Sequence, residues 1–185
     1  YGLGHRYGRA MQAIAGIHYN FSMPHAFWEQ EWESLGRPGK LKHHITERYL
    51  DLIRNFRRYS WLLVYLYGAS PAVCSSFLRG RRNHGLQSFD GEGNSLYLPH
   101  ATSLRMGDIG YQNSKEKGIG IKVCYDCLDA YVETLSRAIE TPSPLYEAIG
   151  VKVNGQYEQL NANILQIENE YYSTVRPKQI PQGME

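Results

Sequence analysis

The stretch Gly16–Pro24 reads GIHYNFSMP, and together with the residues from Gln12 onward it decides how the rest of the chain is read. Ala13, Ala15, Ile17, Tyr19, Phe21 and Met23 fall on odd positions; Gln12, Ile14, Gly16, His18, Asn20 and Ser22 fall on even ones. Side chains in a strand point to opposite faces with period two, so the alternation predicts a half-buried β-strand over Gln12–Met23. One face is apolar and can pack against helices. The other gathers His18 and Asn20 around Gly16, where a missing side chain lets a ligand approach the backbone.

Outward from this strand, residues 44–67 fit a long amphipathic helix, with Ile45, Tyr49, Leu52, Ile53, Phe56 and Leu63 at three- and four-residue steps. Gly68 and Pro71 are its stop signal. Arg48, Arg54, Arg57 and Arg58 lie off that stripe and read as a solvated basic face. Residues 75–95 are polar and glycine-rich, as in a long surface loop. A short strand opens residues 96–111 and gives way to turn chemistry at Gly107-Asp108 and Gly110. A second helix is predicted over Tyr125–Glu140, with Leu128, Tyr131, Val132, Leu135 and Ile139 as its stripe and Thr141-Pro142 as its end. Asn154-Gly155 between two short extended runs is a hairpin signal. Asn163–Arg176 reads as a second alternating strand, with Gln166, Glu168, Glu170, Tyr172 and Arg176 on its polar face. This order of elements predicts an α+β domain, with helices on one face of a largely antiparallel sheet.

Composition narrows the function. The net charge of +2 is too small to imply a nucleic-acid or membrane partner, and no apolar run approaches a membrane span. The polar, basic opening residues lack the apolar core of a signal peptide. An odd count of 3 cysteines argues against a disulfide framework and leads us to expect a reducing, cytoplasmic setting. Cys124 and Cys127 form a lone C-x-x-C without the second ligand pair of a zinc site, and packing at a helix start is the plainer reading. The chain opens on Tyr1 and stops without a closing element, so an internal piece of a longer protein is expected.

The residues alone leave the chemistry open. No P-loop, nucleophile elbow, zinc-protease or dinucleotide fingerprint occurs. The carboxylates of Glu168 and Glu170 suit a hard cation such as Mg²⁺, or equally a charged surface. A ligand-binding sheet face, with or without a metal, is as far as pattern carries the reading.

Four longer stretches go further: RYGRAMQAIAGIHYNFSMPHAFW (6–28), YLYGASPAVCSSFL (65–78), YLPHATSLRMGDIGY (97–111) and LQIENEYYSTVRPK (165–178). Together, and in this order, they resemble the glutamate–cysteine ligases of proteobacterial type, also called γ-glutamylcysteine synthetases. The resemblance implies a glutamine-synthetase-like cradle of largely antiparallel strands with helices on the outer face. It implies that residues 1–185 are the central part of one catalytic domain, lacking its N- and C-terminal portions. The implied reaction joins the γ-carboxyl of glutamate to the amine of cysteine with ATP and Mg²⁺, through a γ-glutamyl phosphate, as the first step of glutathione biosynthesis.

Residue by residue, His18 matches a Mg²⁺ ligand and Gln12 a substrate-contacting glutamine. Arg105 matches a catalytic, substrate-binding arginine, whose planar cation suits bidentate anion binding. Tyr111 and Tyr172 match tyrosines of the cysteine pocket. The family's upstream acidic residues and a later strand motif have no counterpart between Tyr1 and Glu185, so the chain by itself is expected to be inactive. Two other readings stay in view: a carboxylate–amine ligase with a different amine acceptor, and a non-catalytic module retaining the cradle.

Overall fold

Leu41–Tyr67 form one unbroken helix, the longest element of the computed structural model, which describes residues 1–13, 16–68, 70–78, 84–104 and 121–178. No proline interrupts those 27 residues. The helix stops at Gly68, where a side chain would run into the carbonyls of Val64 and Thr102. In chain order the elements are α1 (Gly2–Tyr7), α2 (Arg9–Gln12), α3 (His25–Ser34), α4 (Leu41–Tyr67), β1 (Ala72–Cys74), β2 (Gln87–Ser88), β3 (Ser95–Tyr97), α5 (Leu128–Glu140), α6 (Pro144–Glu147), β4 (Lys152–Val153) and β5 (Gln156–Tyr157). The class is α+β. The strands are short and antiparallel: β3 lies between β1 and β2, and β4 pairs with β5. The β4–β5 turn is Asn154-Gly155 with φ of 50° and 83°, the doubly left-handed geometry that the dipeptide predicts.

The core forms where α4 and α5 meet the segment after the hairpin. Leu50 and Ile53 of α4 pack with Tyr131, Leu135 and Ala138 of α5, and with Tyr125, Leu165 and Tyr171. Leu165 is wholly enclosed, and a leucine so placed contributes about 2–5 kcal/mol relative to alanine. Helix α5 starts on Cys127, whose sulfur accepts the Ala130 N–H, so this thiol caps rather than packs. Asp129 in its first turn and Arg137 in its last complement the helix dipole. A smaller cluster joins α3 to α4, with the Trp28 and Tyr49 rings 4.9 Å apart and the Tyr49 hydroxyl accepting the Met23 N–H.

Several expectations are corrected here. Gln12–Met23 is not a strand. Arg9–Gln12 closes a helical turn, and residues 16–24 join no ladder among the described residues. Ile17 is fully exposed and Tyr19 is 84% exposed, so the odd-numbered face packs against no helix there. Alternation reports which side chains could share a face; a strand also needs a neighbour to take its N–H and C=O groups.

Asn163–Arg176 departs in another way. It makes one isolated bridge, Pro142 to Asn163, and then a tight 3₁₀ turn over Glu168–Glu170. The Glu170 carboxylate folds back to accept the Gln166 N–H at 2.6 Å, and a side chain that bonds local backbone competes with ladder formation. Its supposed wet face is split: Gln166 and Glu170 are buried.

The long helix also differs in detail. Leu50 is buried where Leu52 was expected, and Leu63 is exposed with Trp61, Tyr65 and Tyr67 along the C-terminal half. Its arginines are not simply solvated. Arg54 donates to the carbonyls of Tyr125 and Asp126, Arg57 stacks 4.7 Å over the Tyr125 ring, and Arg48 pairs with Glu31.

Candidate functional site

The N-terminal helix α1 is fastened to the segment Gln159–Tyr171, a joint between residues as much as 164 positions apart. Arg6 is the centre of it. Its Nε and Nη2 donate to Gln159 Oε1, Nη2 also donates to the Asn161 carbonyl at 2.6 Å, and Nη1 donates to the Asn163 carbonyl and to Glu170 Oε1. The guanidinium lies 4.0 Å over the Tyr146 ring. A second bond reaches the same Glu170 oxygen from the Tyr7 hydroxyl at 2.7 Å. Glu170 Oε2 is taken by the Gln166 backbone and side-chain nitrogens. Gly2 completes the joint, because a Cβ there would collide with the Gln166 amide. A buried charge pair survives desolvation only with such full hydrogen bonding.

From this joint the chain passes through Gly8, at φ 92°, into α2 and so to Gln12. Gln12 and His18 are exposed, and neither side chain makes a hydrogen bond or ion pair with a described residue. Tyr172 is half-buried and leaves the 3₁₀ turn two residues after Glu170. Arg105 and Tyr111 lie outside the described residues. The structure thus docks the helix leading to Gln12 and His18 on the segment that carries Tyr172.

Next to this region is an open cleft of ≈ 350 Å³, walled by Arg57 and Trp61 of α4 and by Thr102, Ser103 and Thr174. Ser103 lies two residues before Arg105 and Thr174 two residues after Tyr172. Arg57 meets no carboxylate among the described residues, which leaves its charge available to an anion. Burial pushes the Tyr131 phenol up to about 12, helped by the neighbouring Tyr125 and opposed by Arg176. Tyr171 is raised as well, by burial first and then by its bond with Tyr125.

A metal at Glu168 and Glu170 is excluded by this geometry, since the Glu170 oxygens are already committed. Among the described residues no three His, Cys, Asp or Glu side chains cluster as a metal site. The three cysteines are free thiols. Among the described residues no helix is long and apolar enough to cross a membrane. Arg6 and Tyr7 escape sequence reasoning, because nothing in a 6-residue opening helix announces that its arginine is buried.

Comparison with known proteins places this arrangement. The family model described as glutamate-cysteine ligase matches residues 1–185. Among curated relatives, the glutamate–cysteine ligase of Alcanivorax borkumensis is 60% identical over 182 residues, covering 96% of this chain and 34% of its own length. That of Hahella chejuensis is 54% identical, covering 100% of this chain and 34% of its own length. The crystal structure of the Francisella tularensis glutamate–cysteine ligase in complex with AMP superposes with a TM-score of 0.81 at 38% identity, covering 98% of this chain and 34% of that one. The chain therefore spans about a third of the length of the relatives it matches. By a family match over its whole length, the chain belongs to the glutamate–cysteine ligase family.

Proposed function

We propose that this chain is the central part of a single catalytic domain that ligates glutamate to cysteine at the expense of ATP, the first step of glutathione biosynthesis. The observation that carries the reading is the family match over residues 1–185. The AMP held by the Francisella tularensis relative supports a nucleotide site in the same fold. In the whole domain, the strands and helices described here would contribute to a glutamine-synthetase-like cradle. The exposed Ile17, Tyr19 and Phe21 are then surface that the remaining two-thirds of such a protein would cover.

The chemistry balances in two steps. The γ-carboxylate of glutamate attacks the terminal phosphorus of ATP and ADP leaves, giving a γ-glutamyl phosphate. The unprotonated amine of cysteine then attacks the acyl carbon, the C–N bond forms, the C–O bond to phosphate breaks, and inorganic phosphate departs while the amine gives up one proton to it or to solvent. Positioning and charge stabilisation are what such transfers demand. In this reading Arg105 faces the phosphoryl and amino-acid groups, Gln12 contacts substrate, and the hydroxyls of Tyr111 and Tyr172 donate to the cysteine carboxylate.

Mg²⁺ fits these residues only in part. His18 offers one exposed imidazole, whereas Mg²⁺ demands a near-octahedral, oxygen-rich shell. His18 would be one ligand among carboxylates supplied from outside residues 1–185, and when bound the ion would offset charge on the phosphate oxygens. It follows that this chain alone is inactive.

The acceptor is tested in the longer protein by phosphate release with ATP, glutamate and a panel of amines. Cysteine and 2-aminobutyrate should support turnover, because the two tyrosines would read the carboxylate rather than the thiol. Turnover with an unrelated amine and none with cysteine would make it a different carboxylate–amine ligase. No turnover with any amine would leave a non-catalytic module.

A further inference from the structure

We infer that Glu170, held by Arg6 and Tyr7, is a positioning residue for the cysteine subsite: it sets where Tyr172 sits relative to the helices that lead to Gln12. The inference rests on the assignment of Tyr172 to substrate binding under the proposed function, and it adds residues to which that reading gives no role.

The geometry argues for more than a generic packing contact. Glu170 is the last residue of the 3₁₀ turn, whose backbone bonds run from Glu170 N–H to the Ile167 carbonyl and from Tyr171 N–H to the Glu168 carbonyl. One carboxylate oxygen is gripped from α1 by Tyr7 at 2.7 Å and Arg6 at 3.2 Å. The other is gripped from its own segment by the Gln166 N–H at 2.6 Å. A single carboxylate thus spans the helix leading to Gln12 and the turn releasing Tyr172. Arg176 reaches back to donate to the Tyr171 carbonyl at 3.1 Å, so the peptide entering Tyr172 is held as well. Tyr172 follows the anchor by two residues, and the peptide that leads to it is bonded, so a shift at Glu170 is carried toward the Tyr172 hydroxyl. A misplacement of an ångström at a positioning group is enough to lose binding or rate.

The charge pattern agrees. Arg6 and Glu170 side chains are 0% and 1% exposed, while His18 and Gln12 are exposed. Buried charge is costly, and it is tolerated here where two distant segments must keep one fixed register. A leucine at either position would fill the space, but would not fix the turn in direction as hydrogen bonds do.

The test uses the longer protein and steady-state kinetics for each substrate. Tyr7→Phe removes a single hydroxyl from Glu170, and Glu170→Gln removes its charge while keeping its shape. Each should raise KM for cysteine about tenfold while KM for ATP stays within about twofold, since a local shift at one subsite spares the other. Combined with Tyr172→Phe, either variant should raise KM for cysteine no further than Tyr172→Phe does alone, because nothing is left at position 172 to misplace. Additive effects, or equal losses for cysteine and ATP, would overturn the inference and leave the pair purely structural. If Tyr172→Phe itself left KM for cysteine unchanged, the substrate assignment would fall, and the inference with it. Should Glu170→Gln not fold, the Tyr7→Phe series decides the matter.

Discussion

Arg6 and Glu170 stand 164 positions apart in sequence and meet at 3.2 Å in the interior, the longest-range ion pair among the described residues. Their mutual burial makes them interdependent. Removing one partner leaves the other as an uncompensated charge, which costs about 3–5 kcal/mol, whereas replacing both by apolar residues costs far less than the sum. Urea denaturation of the longer protein should therefore show Arg6→Leu and Glu170→Leu each strongly destabilising, and the double variant recovering part of the loss. Additive losses would mean that each residue is held by its other partners alone.

Alkaline stability should report the tyrosines of the core. Tyr131 ionises near 10 in an unfolded chain, and in the fold burial raises it to about 12. Below the lower value both states hold the proton and the group adds no pH dependence. Between the two values the unfolded state loses its proton first, so stability falls as pH rises through this window. Tyr131→Phe should flatten that fall in a thermal-unfolding series from about pH 9 to pH 12. An unchanged slope would show that the Tyr131 phenol titrates as if exposed.

The metal role proposed for His18 has a test of its own. In the longer protein, His18→Ala should shift the Mg²⁺ titration of turnover to higher concentration while KM for cysteine moves little. A titration that superposes on that of the unsubstituted protein would remove His18 from the metal shell.

Helices were the legible part of the fold. The apolar steps from Ile45 to Leu63 and from Leu128 to Ile139 lie within α4 and α5, and Asn154-Gly155 makes the turn it predicts. Which residues face the core was less legible, since Leu52, Leu128 and Val132 remain exposed. A stripe marks an angular sector, and the neighbouring elements decide how much of it is covered. The two alternating segments misled for separate reasons. Around His18 no described strand lies alongside, and around Glu170 a side chain captures its own backbone. Of the candidate site, pattern placed Gln12, His18 and Tyr172 on polar faces, and only the whole-stretch resemblance gave them roles. Arg6 was missed because charged residues in short helices are ordinarily on the surface, and only the fold reveals the carbonyls of Asn161 and Asn163 waiting for it.

Phosphate release by the purified 185-residue chain and by the longer protein, assayed side by side, tests the central claim most directly. The longer protein should release phosphate only when ATP, Mg²⁺, glutamate and cysteine are all present, with one γ-glutamylcysteine formed per phosphate, and the chain alone should release none. Cysteine-dependent release by the chain alone, or release by the longer protein that ignores cysteine, would contradict the account.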